Sequence, residues 1–362
     1  MKKIRLAGLM LLAPLTLLCA CSGGVPLSFA ANWNRNTADS SVSNTREELV
    51  YEVTFTPSET PVGTLTAEYD EGTYTTLLEN KNLTLSDGSS QEGYVYTTKL
   101  TISGRFRLGS EVSETFTDTV TSTVSFLSAS QRLKPVKSEK EVVSTSPVAS
   151  SPSSLENAFT TYHYTYDVSY DAGLTTATAV YTDLTEYKTE EGETVRRDPE
   201  TREYDITGDT TYLDNEQILF ALRGLNLSSA AATFRTINQV MGIVAEVSTS
   251  ANSSAASSVK ENVDFTMNGE AVKQEIDAVE VPLTYLTTPS GQSQTLVYAA
   301  TTDANSNTYR NVLLRMEVPV LQSLGTLVYT LKEAAFADKE TMIRLAFTTK
   351  RSGNVSPETI CP

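Results

Sequence analysis

One histidine is available for acid–base or metal chemistry in this 362-residue chain. His163 lies in TYHYTYDVSYDAGLTTATAVY (residues 161–181), where Tyr162, Tyr164, Tyr166 and Tyr170 alternate with His163, Thr165, Asp167 and Ser169. A hydrolase triad needs a histidine or a substitute base, and no G-x-S-x-G elbow accompanies this one. Its parity puts His163 with Thr165 and Asp167, opposite the tyrosines, which reads as a solvated strand residue and not a general base. Zinc prefers imidazole and thiolate, and neither is available in number once Cys19 and Cys21 are assigned to the N-terminal signal. Asp70-Glu71-Gly72 and Asp303 to Asn307 are too sparse for a calcium loop. Neither a P-loop nor a G-x-G-x-x-G entering a helix is present. Paired carboxylates hydrolyse glycosides, but Glu190, Glu191 and Glu193 fall in a charged loop with no apolar pocket to raise a pKa. Glu280 alternates with Val279 and Val281 on a strand, facing either a cavity or water. The expectation is no catalytic residue, no metal and no cofactor. The tyrosine row, Tyr162, Tyr164, Tyr166 and Tyr170, is the candidate ligand-lining set. Its rings form either the buried face of a strand or the wall of a cleft that holds an apolar chain or stacks on a sugar.

The elements around these residues repeat with a period of two. Tyr51, Val53 and Phe55 alternate with Glu52, Thr54 and Thr56, and Leu65, Ala67 and Tyr69 alternate with Thr66 and Glu68. Tyr94, Tyr96, Leu100, Ile102, Phe106 and Leu108 share one parity, with Gly104 marking a bulge or bend. Phe116, Val120, Val124 and Phe126 repeat the pattern. Such segments predict antiparallel strands with one dry and one wet face, threonine dominating the wet one. Tyr162 to Tyr170 and Leu174 to Tyr181 form a hairpin across Asp171-Ala172-Gly173. Ser144 to Ser154 (STSPVASSPSS) is a loop or linker able to divide the domain near residues 144–158. Glu190 to Glu200 reads as a charged loop and Ser248 to Ser258 as an exposed one. Strand periodicity resumes at Val263 to Met267, Ala278 to Leu286, Thr295 to Ala300, Val312 to Val320, Leu327 to Leu331 and Ile343 to Phe347.

One helix is predicted. Asp214 caps DNEQILFALRG, Gln217 completes a capping box, Leu213 and Ile218 sit at staple positions, and Gly224 suits the C′ residue. Ile218, Leu219, Leu222 and Leu225 make a stripe to lie on the sheet, and Arg223 favours the negative end of the dipole.

The chain begins MKKIRLAGLMLLAPLTLLCACSGG. A basic start (Lys2, Lys3, Arg5) and an apolar run from Leu6 to Leu18, too short to span a bilayer, form an export signal. Leu18-Cys19-Ala20-Cys21 resembles the bacterial lipobox, so Cys21 is the expected lipid attachment and first mature residue; Cys19 in that role fits worse. Cleavage at residue 20 leaves 342 residues and takes the net charge from −16 to −19 as three cations depart. That acidity argues against nucleic acid and against docking on an anionic surface, leaving the acyl chains as the membrane tether. With Cys21 acylated only Cys361 remains, so no internal disulfide framework forms; a disulfide-linked dimer through that thiol stays open. Residues 21–46 read as a flexible stalk, 47–340 as an antiparallel β domain, and 341–362 as a last strand and tail.

Three segments resemble the bacterial envelope family called domain of unknown function 3108. They are Leu49 to Thr64 (LVYEVTFTPSETPVGT), Tyr212 to Gly224 (YLDNEQILFALRG) and Arg310 to Phe336 (RNVLLRMEVPVLQSLGTLVYTLKEAAF), departing in long serine-rich insertions. The resemblance implies a highly curved antiparallel sheet like the half-barrels that carry lipids or lipoproteins, and no activity or site residues. The expectation is a mainly β protein, a large curved antiparallel sheet or half-barrel with one capped helix on its concave face. Its expected role is non-catalytic: a lipid-anchored protein of the bacterial cell envelope in binding or envelope assembly, holding an apolar ligand in a β cleft, with a lipid, a glycan or an envelope protein as partner. The alternative is a structural or adhesive surface domain with a filled core.

Overall fold

The computed structural model describes Leu27 and residues 46–188, 194–225, 231–239, 241–249, 257–286, 293–299 and 312–336. Alternation of apolar and polar side chains becomes strand throughout. The first half of the chain forms β1 (Arg46–Pro57), β2 (Leu65–Tyr69), β3 (Gly72–Thr84), β4 (Ser90–Leu108), β5 (Glu111–Val112), β6 (Phe116–Leu127), β7 (Pro135–Pro147), β8 (Phe159–Tyr170) and β9 (Thr176–Asp183). A two-residue ribbon, β10 (Tyr187–Lys188) with β11 (Thr194–Val195), precedes β12 (Glu200–Asp205). After the helical segment come β13 (Thr233–Asn238), β14 (Ile243–Ser248), β15 (Ser257–Met267), β16 (Glu270–Tyr285), β17 (Ser293–Ala299), β18 (Leu313–Pro319) and β19 (Gly325–Phe336).

Apart from the small ribbon, these strands belong to one sheet. Its ladder runs β12–β9–β8–β7–β6–β4–β3–β1–β19–β18–β17–β16–β14–β13, antiparallel at every step. β15 pairs with the first part of β16, and its tip touches β19 in parallel. The register keeps Leu49, Tyr51 and Val53 of β1, Tyr74 and Leu78 of β3, and Tyr94, Tyr96 and Ile102 of β4 on the buried face. Hydroxyls pair across strands, as at Thr97–Thr123 (3.2 Å) and Ser103–Thr117 (2.9 Å), the cross-strand contact that suits β-branched residues on a pleat.

The sheet curls into a barrel, and its two edges, β12 and β13, meet through residues 206–213. The Ile206 amide donates to Thr175 O (2.9 Å), prolonging β12 beside β9. Tyr212 then bridges Arg235 of β13 in parallel, with Leu213 N on Arg235 O and Arg235 N on Thr211 O, both 2.9 Å. The Arg235 guanidinium donates to the carbonyls of Thr207 (2.7 Å), Ile206 (2.8 Å) and Thr210 (3.3 Å). The turns at 85–89, 128–134 and 171–175 lie at one end, where β1 begins; those at 109–115 and 148–158 lie at the other. These are called the entry end and the far end below.

Several expectations are corrected. The ladder runs through Gly104 in register, so no bulge sits there. Gly104 marks where the β3 pairing of β4 ends and the β2 pairing begins, and an added Cβ would lie 2.8 Å from Glu68 O. Register shifts fall instead at Val50/Tyr51, Ser125/Phe126 and Val297/Tyr298. Leu174 belongs to the turn, with φ 55°, because Asp171 accepts from the amides of Gly173, Thr175 and Thr176 (3.0, 2.6 and 2.5 Å) and holds it open. The strands flanking the serine-rich stretch pair from Lys137–Ser169 to Pro147–Phe159, so it connects a hairpin, and Leu155 and Ala158 pack beneath it. Asn268-Gly269, both at positive φ, turns β15 into β16 and starts the latter earlier than its apolar pattern suggests. Glu190 to Glu193, Ile343 to Phe347, Cys21 and Cys361 lie outside the described residues.

The capped helix is a plug inside the barrel. A 3-10 turn (Asn215–Gln217), α1 (Ile218–Ala221) and a second 3-10 turn (Leu222–Gly224) make one short rod. Asp214 caps it by accepting from Glu216 N at 2.8 Å. No capping box forms, because the Gln217 side chain donates to Leu133 O at 2.8 Å. Leu219 is only half-buried, whereas Phe220 lies among Tyr94, Tyr96 and Phe126, centroids 5.9, 5.8 and 5.1 Å away. Arg223, expected to answer the dipole, forms a buried bidentate pair with Glu47 of β1 at 2.5 and 2.9 Å. Among the described residues no helix is long and apolar enough to cross a membrane.

Candidate functional site

The four tyrosines occupy one strand face but four environments. Tyr162 is 46% exposed near the far end of β8. Tyr164 is half-buried with its ring against Tyr181, centroids 5.3 Å apart. Tyr166 and Tyr170 are buried at 6% and 5%. The row therefore descends from solvent into the barrel and does not form one wall. On the opposite face His163 is half-buried, 3.4 Å from Glu141 on β7.

Tyr166 alone of the four lines a cavity of about 180 Å3, beside the seam between β12 and β13. Ala179 of β9 leaves the room, and Tyr181, Glu200, Arg202, Tyr204 and Gln239 complete the lining. The Tyr166 hydroxyl is buried and has no hydrogen-bond partner of normal geometry. Burial first, and the neighbouring Tyr204 second, push its pKa above the usual phenol range. Arg202 pairs with Glu200 along β12 at 3.2 Å and keeps most of its side chain in water. The Gln239 amide donates to Glu216 at 3.2 Å, tying this wall to the plug. Rings, an amide, a guanidinium and a carboxylate thus converge on one small space, an arrangement suited to recognition of a polar ring.

Beside it lies a buried polar cluster. The Asp214 carboxylate accepts from Tyr170 OH (2.5 Å), Ser138 Oγ (2.6 Å) and Glu216 N. Burial, reinforced by Glu216, pushes its carboxyl above the ordinary range. Burial also pushes Glu216 up, but the Lys140 ammonium at 2.9 Å outweighs it and holds that carboxyl below the usual value. Tyr285 OH donates to Asn215 Oδ1 at 2.6 Å. Each of these groups is spent on fixing the plug: Tyr170 is a structural hydrogen-bond donor, and Asp214 and Glu216 are held by donors on other elements. A second cavity of about 180 Å3 opens under the rod between Asn215, Glu216, Leu219, Tyr285 and Met316. Among the described residues no group of three or more His, Cys, Asp or Glu is placed to hold a metal ion.

Sequence reasoning missed Tyr181, Arg202, Tyr204 and Gln239. A signal existed in part: Glu200, Arg202 and Tyr204 share one parity in ETREYD, at the end of the stretch read as a charged loop. Nothing local tells that β12 lies beside β9.

No family model matches the chain, and no curated protein is similar to it. Among solved structures it is similar to a β-barrel-like protein of domain of unknown function DUF1849 from Brucella abortus. That likeness has 9% identity and a TM-score of 0.42 over 82% of this chain and 99% of that one.

Proposed function

We propose that this chain is a lipid-anchored protein of the bacterial cell envelope whose barrel binds and does not catalyse. Its ligand is a hydroxyl-rich ring, such as one residue of an envelope glycan, held against Tyr166, Tyr181 and Tyr204. The observation that carries this reading is the buried Tyr166 hydroxyl on a cavity wall, which has the Tyr204 phenol beside it but no hydrogen bond of normal geometry. Leaving such a group unsatisfied costs about 1–3 kcal/mol, which a ligand hydroxyl relieves on entry. The volume favours a sugar over an acyl chain: about 180 Å3 is below the ~300–1,000 Å3 of drug-sized sites. Among the described residues Phe220 and its surrounding rings fill the middle of the barrel, which favours a small ring at the Tyr166 wall over a long chain along the axis. The same filling favours the second reading, a structural surface domain, if the cavity proves idle.

Saturation-transfer NMR with N-acetylglucosamine oligomers tests the site. Transfer to ring protons is expected, with binding about 3–10-fold weaker in Tyr166→Phe, the loss of one neutral hydrogen bond. Absence of transfer, or transfer indifferent to Tyr166→Phe and Arg202→Ala, would defeat the reading. Native mass spectrometry of protein taken from its own membrane then separates co-purified glycan from lipid.

A further inference from the structure

Leu27 falls within the stretch that reads as a stalk, yet it is docked on the barrel. Its amide donates to Thr211 Oγ1 at 2.8 Å, and its side chain packs against the main core. Thr211 belongs to the seam beside the 171–175 and 128–134 turns, where it lines a cleft of about 230 Å3 with Arg132, Lys134, Gly173, Asp209 and Arg235. Both the docked Leu27 and the start of β1 are therefore at the entry end.

We infer that the entry end rests on the membrane surface, with Arg132 and Lys134 at phospholipid phosphates and the far end turned away. The inference rests on the reading that Cys21 carries the lipid. Six Cα-to-Cα steps separate Cys21 from Leu27, a reach of at most about 20 Å even when fully extended. The thirteen residues of β7 run about 40 Å from one end of the barrel toward the other. A tether pinned at the entry end is thus too short for the barrel to stand on its far end. Charge agrees with this placement. A chain of net charge −16, or −19 after cleavage, is repelled by an anionic surface, so contact is best made where cations are unpaired. Among the described residues neither Arg132 nor Lys134 enters an ion pair, whereas most lysines and arginines of the outer strands do. Arg132 is held outward by a turn in which it and the buried Leu133 both take left-handed backbone, φ 58° and 52°.

The full-length, lipid-modified protein is reconstituted into phosphatidylethanolamine–phosphatidylglycerol vesicles containing a nitroxide-headgroup lipid. Single fluorophores are placed, in a Cys361→Ser background, at Asp209→Cys on the entry end or Val62→Cys beyond β1. Flotation is read first. Failure to float, or flotation unchanged by Cys21→Ala, overturns the anchor and with it the orientation. Given anchor-dependent flotation, quenching at least threefold stronger at residue 209 than at residue 62 is expected. Arg132→Glu with Lys134→Glu should reduce that ratio below twofold without loss of flotation. Equal quenching at the two positions, or stronger quenching at residue 62, overturns the orientation while leaving the anchor intact. A ratio unmoved by the charge reversals overturns the headgroup contact.

Discussion

Asp118 on β6 is only 8% exposed, and its carboxylate accepts from Thr145 N at 2.7 Å and Ser144 Oγ at 3.5 Å. Burial outweighs these donors and pushes its pKa up to about 6, from 3.8 for a free side chain. The folded chain thus holds this proton more tightly than the unfolded one. Its stabilising contribution is present below about pH 4 and is lost as pH rises through about 6, a cost on the order of 2–3 kcal/mol at neutrality. Asp118→Asn keeps the acceptor for Thr145 and removes the charge. Urea unfolding should show it 1–2 kcal/mol more stable than the parent at about pH 7.5 and nearly equal at about pH 4; equal differences at both would refute the assignment. Parity alone placed Tyr166 and Tyr170 on the same face, and both are buried there. It did not distinguish the hydroxyl that meets Asp214 from the one that meets a cavity, because that depends on Asp214 and Tyr204, which are remote in sequence. Asp118 was invisible for the same reason: a carboxylate on a threonine-rich strand reads as solvated until its neighbours are known.

The plug shows how far local signals carry an element. Asp214 before an apolar run marked the start of the rod correctly, because capping is a contact between near neighbours. The fate of Gln217 was not local: Leu133 O, on a different turn, competes for its amide and wins. Arg223 likewise finds Glu47, 176 residues away, and both ends of the pair are almost wholly buried. Removing one member leaves an uncompensated buried charge, so Arg223→Met alone should lower stability by about 3–5 kcal/mol in chemical denaturation. Arg223→Met with Glu47→Leu should recover most of that loss. A double variant as unstable as the sum of the singles would show that the pair does not act as a unit. The Asn268-Gly269 turn was missed although its signal is local: the apolar pattern of β16 begins later than its pairing does, and both turn residues take positive φ.

At the scale of the molecule the barrel is held by unequal joints. β3 and β4 share a continuous ladder from Thr73–Thr101 to Thr84–Ser90, whereas β12 and β13 meet through one bridge and the fork of Arg235. Hydrogen-exchange mass spectrometry should find the amides of Glu200–Asp205 opening before those of β4. Arg235→Ala should quicken exchange at the seam and leave the β3–β4 ladder unchanged; uniform acceleration would mean that the seam opens only with the whole fold. The sequence by itself determined that this is a sheet protein with one dry face, where most strands run, and where a capped rod begins, since each follows from side chains two to four positions apart. Only the tertiary structure decided that the sheet closes, that the rod fills it, and that Tyr166, Arg202 and Gln239 share a cavity. Pairing of distant strands is selected by the summed burial of many side chains, and no short window of sequence contains that sum.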